Sequence, residues 1–253
     1  MIRVILAGSN GFMGKVVSEL CEQDPEVTIV AGVDIVTEER FGYPVYADIN
    51  EIRETADVII DFSHISVIDS LISYSVEQQM PIVLCTTGLS AEQEQAVEDA
   101  AKSVAVLKSA NMSLGINTLM ELLKAAAKVL APAGFDMEIV EKHHHRKLDA
   151  PSGTALALPQ CMNDALDDDY TFKLDRSQDH KKRDPKEIGI QAVRGGNIVG
   201  EHEVIFAGPD EVITFKHTAY SRAIFGNGAI AAAKYLADKP AGRYDMSDVI
   251  KNS

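Results

Sequence analysis

Over the first hundred positions, apolar residues fall into short continuous runs separated by amphipathic stretches. Ile2-Arg3-Val4-Ile5-Leu6-Ala7 is β-branched and apolar, breaks at Gly8-Ser9-Asn10-Gly11-Phe12-Met13-Gly14, and resumes at Lys15-Val16-Val17-Ser18-Glu19-Leu20-Cys21 with helical spacing. The pattern predicts strand, glycine turn, helix. Further buried strands are predicted at 27–33, 58–60, 82–85 and 104–107, with helices at about 67–78 and 91–101. Ser90 and Gln93 look like a capping pair for the second of these helices. Near-continuous apolar strands alternating with helices imply a parallel sheet covered on both faces.

After Asn111 the pattern changes to a long amphipathic helix at 114–130, ended by Pro132 and Gly134. Partly alternating strands are predicted at 137–140, 190–193, 198–206 and 212–217, as in an open mixed sheet. The polar stretch 167–186, with Asp167-Asp168-Asp169 and His180-Lys181-Lys182-Arg183, reads as a solvated loop. An alanine-rich helix at 223–237 and a short tail end the chain, and no internal repeat is visible.

A length of 253 residues allows one large domain or two modest ones. With 46% hydrophobic and 25% charged residues the chain is neither disordered nor a disulfide-stapled miniprotein. The formal charge, 24 minus 38 or −14, argues against a broad nucleic-acid surface. Cys21, Cys85 and Cys161 are odd in number and widely spaced, which fits a reducing compartment better than a disulfide framework or a thiolate metal site. No segment has the length of a signal-peptide core or a membrane span, so a cytoplasmic location without membrane partners is expected.

Gly8, Gly11 and Gly14 have the spacing GxxGxxG between a strand and a helix. Backbone N–H groups can approach a pyrophosphate there, and the helix dipole favours negative charge. Read without context, the same glycines could serve only a tight turn. Asp34, at the end of the next strand, stands where a carboxylate accepts hydrogen bonds from adenosine ribose hydroxyls. Its charge, with Glu38 and Glu39 before Arg40, repels a 2′-phosphate, so NADH is expected to be preferred over NADPH, with use of both allowed.

The densest chemistry lies in Glu141-Lys142-His143-His144-His145-Arg146-Lys147-Leu148-Asp149-Ala150-Pro151-Ser152-Gly153-Thr154-Ala155. Lys142 to Lys147 are all basic or potentially basic, and Ser152-Gly153-Thr154 opens a predicted helix. Imidazoles, a lysine and a helix N-terminus can together hold a small dicarboxylate and move a proton near neutral pH. A solvated basic patch, a zinc site and a nucleic-acid contact are rival readings. Adjacent residues on a strand alternate faces, which disfavours zinc, and the cluster lacks interleaved aromatics.

Taken together, the AGSNGFMG turn, the DFS and CTTGL segments, SANMSLGIN, EKHHHRKLDAPSGTA, VRGGNIVGEHEV and FGNGA resemble the 4-hydroxy-tetrahydrodipicolinate reductase (dihydrodipicolinate reductase) family over nearly the whole chain. The resemblance implies an α/β protein with a Rossmann-like dinucleotide-binding domain at 1–113 and 222–253. An α+β substrate-binding and oligomerisation domain with an open mixed sheet would occupy 114–221. It implies His143 as acid/base, Lys147 as second proton donor, and His144, Gly153 and Thr154 as substrate contacts. Cofactor contacts carry over to Gly8, Ser9, Asn10, Gly11, Phe12, Met13, Asp34, Cys85, Thr86, Thr87, Ser109, Ala110, Asn111 and Met112, with no metal. Arg194 and Arg222 are further candidate anion partners.

Many members carry arginine where this chain has Phe12, a departure that agrees with NADH preference, and Pro159 should kink or shorten its helix. The implied reaction is hydride transfer from nicotinamide C4 to a cyclic imine dicarboxylate in the diaminopimelate route to lysine, by a homotetramer with hinges near residues 112 and 221. Aspartate or homoserine dehydrogenase is the rival enzyme reading, and a non-catalytic NADH-responsive regulator the rival of another class.

Overall fold

In the computed structural model, which describes residues 1–252, the apolar runs become strands in two separate sheets. In chain order the elements are β1 (Ile2–Ala7), α1 (Phe12–Glu22), β2 (Val27–Val33), β3 (Val45–Tyr46), β4 (Val58–Asp61), α2 (Ile68–Glu77), β5 (Ile82–Leu84), α3 (Ala91–Ala100), β6 (Ala105–Lys108) and α4 (Leu114–Leu130). They continue with β7 (Asp136–His143), α5 (Gly153–Asp164), β8 (Thr171–Lys173), β9 (Glu187–Arg194), β10 (Glu201–Ala207), β11 (Val212–Thr218), α6 (Ala223–Leu236), β12 (Gly242–Tyr244) and α7 (Met246–Lys251). The chain divides into two compact units, Met1–Leu114 with the chain from Arg222 onward, and Gly115–Ser221.

In the first unit all strand pairs are parallel, in the order β12-β6-β5-β4-β1-β2-β3. Alternate strand residues face opposite sides, so continuous apolar strands supply two cores. Val4, Leu6, Val58, Ile60 and Val83 pack with Val17 of α1, Ala229 and Ala233 of α6 and Val249 of α7. Ile5, Ile59, Ile82 and Leu84 pack with Leu71 of α2 and Val97 of α3. Ser90 and Gln93 form the expected capping box. The expected parallel, doubly covered sheet is present. The tail, however, is not plain: 242–251 adds an edge strand and a helix, with Asp245 accepting from the Ser247 and Asp248 amides.

The second unit has a five-stranded mixed sheet, β11-β10-β7-β9-β8, with β8, β9 and β7 parallel and β10 antiparallel to both its neighbours. One face is apolar: Met137, Ile139, Ile188, Ile190, Val204 and Phe206 pack on Leu119, Leu123 and Ala127 of α4 and Leu158 and Met162 of α5.

Four expectations for this unit change. β7 runs on to His143, so the basic cluster begins within a strand rather than after it. β10 begins at Glu201, not at 198, because residues 195–200 form a return loop with Gly196 at φ 46°. The polar 167–186 segment contains β8, and Arg183 is anchored on Asp136 (2.7 Å) and Glu138 (2.8 Å) instead of being solvated. Helix α5 passes through Pro159 to Asp164, so it is not cut short there.

Candidate active site

The cofactor candidates of the first unit come from four segments that leave the same edge of one sheet. They follow the C-terminal ends of β1, β2, β5 and β6, where doubly wound folds bind ligands. Gly8 has φ +78°, and a Cβ there would stand 2.4 Å from the Phe62 carbonyl oxygen. A Cβ on Gly14 would stand 2.1 Å from the Gly8 oxygen. These glycines let the turn, the start of α1 and the segment after β4 approach within backbone contact. Gly11 supplies no side-chain cap, so the first amides of α1 keep their donors for another acceptor.

Asp34 accepts the Asn10 amide (2.9 Å) and the Val36 amide (3.0 Å), which ties it to the glycine turn. Arg40, the nearest following cation in sequence, is spent on Glu38 through Nε (2.9 Å). Phe12 is exposed, and the Arg222 guanidinium lies 5.1 Å from its ring centroid. Ser9 Oγ is buried without a partner.

After β5, the Thr86 amide reaches the Asp61 carboxylate (3.3 Å) and the Cys85 amide the Asp61 carbonyl (3.0 Å). Burial pushes the Asp61 carboxyl above the ordinary aspartate range against the opposing hydrogen bonds of Ser63, and it pushes the Cys85 thiol well up. Cys85 is therefore a neutral thiol. After β6, the Ser109 hydroxyl accepts the Met246 amide (2.8 Å), and Met112 is buried, its carbonyl so close to Gly228 that no Cβ fits there. Ala110 lies between them and is exposed.

In the second unit the period of β7 decides the site. Met137, Ile139, Glu141 and His143 share one face, so a carboxylate and an imidazole continue the core face at its end. Glu141 is fully buried. Arg194 binds it through two nitrogens, Nη2 to Oε1 (2.6 Å) and Nη1 to Oε2 (2.9 Å), the Ser152 amide donates to Oε1 (3.1 Å), and His143 Nδ1 bonds Oε2. Burial pushes this carboxyl up, but Arg194, His143 and Ser152 outweigh it and hold the pKa below the ordinary glutamate value. Arg194 is thus committed to Glu141 and to the Asp149 carbonyl (2.5 Å), in place of the free anion partner expected from sequence.

His202 stands opposite Glu141 on β10, its ring edge-on to His143 with centroids 5.2 Å apart. Its Nε2 lies 3.2 Å from Ser152 Oγ, and burial, then the His143 charge, lower its pKa to about 4. The Ser152 hydroxyl also caps α5 by accepting the Ala155 amide (3.2 Å). Gly153 is the exposed first residue of that helix and Thr154 follows it. Lys147 pairs with Asp149 (2.8 Å), which lowers the aspartate pKa. His144 Nδ1 is buried without a partner, and desolvation first, then Arg146 and His143, lower its pKa.

The structure thus gathers His143 with Ser152, at the start of the Gly153-Thr154 helix, around Glu141. Glu141, His202 and Asp61 were not singled out from sequence. The available signal was a carboxylate in phase with Met137 and Ile139, since a charge on a core face needs partners. Among the described residues no group of three or more His, Cys, Asp or Glu side chains is arranged to hold a metal ion, and no helix is long and apolar enough to cross a membrane.

Comparison with known proteins matches residues 2–112 to the family model for the dihydrodipicolinate reductase N-terminus and residues 115–250 to that for its C-terminus. A 4-hydroxy-tetrahydrodipicolinate reductase of Caldanaerobacter subterraneus is 52% identical over 251 residues, covering 99% of both chains. That of Clostridium novyi is 48% identical over 252 residues, covering 100% of this chain and 99% of the other. The fold is shared with a dipicolinate-bound dihydrodipicolinate reductase from Paenisporosarcina sp. TG-14, at TM-score 0.84 and 22% identity over 98% of this chain and 99% of that one. From the two sheets, the glycine turn, the buried Glu141 cluster and these matches together, the chain belongs to the 4-hydroxy-tetrahydrodipicolinate reductase family of oxidoreductases.

Proposed function

We propose that this chain reduces 4-hydroxy-tetrahydrodipicolinate to tetrahydrodipicolinate with a nicotinamide cofactor, NADH preferred over NADPH, on the diaminopimelate route to lysine. The observation that carries the catalytic assignment is the His143 imidazole anchored through Nδ1 on a fully buried carboxylate, next to the Ser152-capped start of α5. Residues from Gly115 to Ser221 would form the substrate domain and the remainder the cofactor domain.

The glycine turn fits a dinucleotide: Gly8 and Gly14 leave no room for side chains, the start of α1 is uncapped, and Asp34 lies beside the turn. Gly8, Ser9, Asn10, Gly11, Phe12 and Met13 would hold the pyrophosphate, with Asp34 on the ribose. Cys85, Thr86 and Thr87, and Ser109, Ala110, Asn111 and Met112, would flank the nicotinamide. When bound, the reduced nicotinamide supplies a hydride. Arg40, the nearest cation after Asp34 in sequence, is paired with Glu38 rather than held free for a 2′-phosphate, which supports NADH.

His143, with Nδ1 held by Glu141, offers Nε2 to protonate the reduced substrate, with Lys147 as the second donor. His144 and the Gly153 and Thr154 backbone would hold the substrate carboxylates. The mixed sheet presents its other face without a covering helix in the core cluster, and we assign it to a homotetramer, checked by light scattering of the eluted protein. A cytoplasmic location goes with this role.

The test is the kinetics of His143→Ala and Lys147→Ala. Each should lose about 10²- to 10⁴-fold in kcat while NADH affinity by fluorescence stays within twofold. Near-normal turnover in both variants would sink the assignment.

A further inference from the structure

We propose that Glu141 is a positioning residue that sets His143 and the Ser152-Gly153-Thr154 turn in one frame, so that a single buried carboxylate fixes the proton donor and the carboxylate-binding turn together. The inference rests on the acid/base role proposed for His143 and adds the group through which that role depends on the rest of the unit.

Each of the two Glu141 oxygens has a divided duty. Oε1 takes Arg194 Nη2 (2.6 Å) and the Ser152 amide (3.1 Å), and Oε2 takes Arg194 Nη1 (2.9 Å) and His143 Nδ1. A carboxylate held ionised by a two-pronged guanidinium only accepts hydrogen bonds, so the His143 Nδ1 that faces it carries the hydrogen. Nε2 is then the nitrogen that takes up and gives out the working proton, as in other carboxylate-oriented imidazoles.

The surroundings agree. Gly200 approaches Nε2 so closely that a Cβ there would lie 3.3 Å away, and a larger residue would crowd that nitrogen. The other charged or titratable groups near the pair are Arg194 on β9, His202 on β10, and His144, Lys147 and Asp149 after β7; His217 on β11 lies across from His202. The one carboxylate among these, Asp149, is paired with Lys147 (2.8 Å), and it is Glu141 that meets Nδ1.

The link to the turn is just as direct. Glu141 receives the amide of Ser152, whose hydroxyl caps α5, and Arg194 also holds the Asp149 carbonyl that precedes this turn (2.5 Å). The end of β7, the end of β9 and the start of α5 therefore converge on one carboxylate. Gln at 141 is nearly isosteric, but in either orientation its amide nitrogen faces an Arg194 nitrogen donor-to-donor, together with either the Ser152 amide or His143 Nδ1, and the frame loses one side.

The experiment is a double-mutant cycle of Glu141→Gln and His143→Ala, read as kcat and as KM for the imine. Glu141→Gln alone should lower kcat roughly 10- to 100-fold and raise KM, with NADH affinity unchanged. In the His143→Ala background the same change should lower kcat less than threefold, because the imidazole route is already gone, while KM still rises through the link to the Ser152 turn. A full loss in both backgrounds, or turnover of Glu141→Gln within twofold of the parent, overturns the proposal.

Should Glu141→Gln not fold, ¹⁵N spectra of the unsubstituted protein decide. An Nδ1–H tautomer for neutral His143 supports the frame, and an Nε2–H tautomer rejects it. The His143→Ala arm alone reports on the proposed reaction. If that variant turns over normally, the acid/base assignment fails, whatever the tautomer shows.

Discussion

His202 is an imidazole whose burial costs it its charge. Its pKa is lowered to about 4 by desolvation first and by the charge of His143 next. A group depressed below its unfolded value of about 6.5 contributes stability that is complete above that pH and lost as pH falls toward 4. The contribution is on the order of 3 kcal/mol. Between pH 7 and pH 4.5, urea unfolding of His202→Gln should therefore lose about 2 kcal/mol less stability than the parent does. Equal losses would show that His202 does not stay neutral in the fold. Such residues were hard to read from sequence. His202 reaches its place opposite Glu141 only through antiparallel pairing of β7 with β10, and Arg194 only through parallel pairing of β7 with β9. Sequence spacing carries no record of either register. Local chemistry was legible: the glycine spacing, Asp34 and the basic run are all contiguous patterns.

Helix starts carry the next layer of the account. α1 begins where Gly14 passes the Gly8 and Ser9 carbonyl oxygens, which a Cβ would meet at 2.1 and 2.5 Å. Gly14→Ala must push backbone away from backbone, so it should weaken NADH binding more than tenfold and lower Tm. Fluorescence titration giving parental affinity would contradict this packing. α5 begins differently, with Ser152 capping Ala155 and meeting His202. Ser152→Ala should cost about 1–2 kcal/mol of unfolding free energy and raise KM for the imine. An unchanged unfolding curve would show that the cap contributes nothing. The parallel strands were readable because both faces are buried, which makes them continuous apolar runs. β12 and α7 were not, since Gly242-Arg243-Tyr244 at the sheet edge has no apolar run and the helix after it is one and a half turns.

For the whole molecule, a net charge of −14, taken as a sum, opposes both an anionic cofactor and an anionic substrate. Placement matters more than the sum. Many surface charges are consumed in pairs, such as Lys142 with Glu203 (3.0 Å) and Lys216 with Glu201 (2.9 Å), whereas the candidate anion sites rest on glycine amides and helix starts. On the proposed reading, the acidic edge around Asp34 would select between cofactors rather than reject them. The central claim is nicotinamide-dependent reduction of one cyclic imine, and its most direct test is a coupled assay. 4-Hydroxy-tetrahydrodipicolinate is generated enzymatically in the cuvette, and absorbance at the nicotinamide band is followed with NADH and NADPH side by side. The account predicts oxidation that depends on the imine, with the higher kcat/KM for NADH. Binding of NADH without imine-dependent oxidation would contradict it.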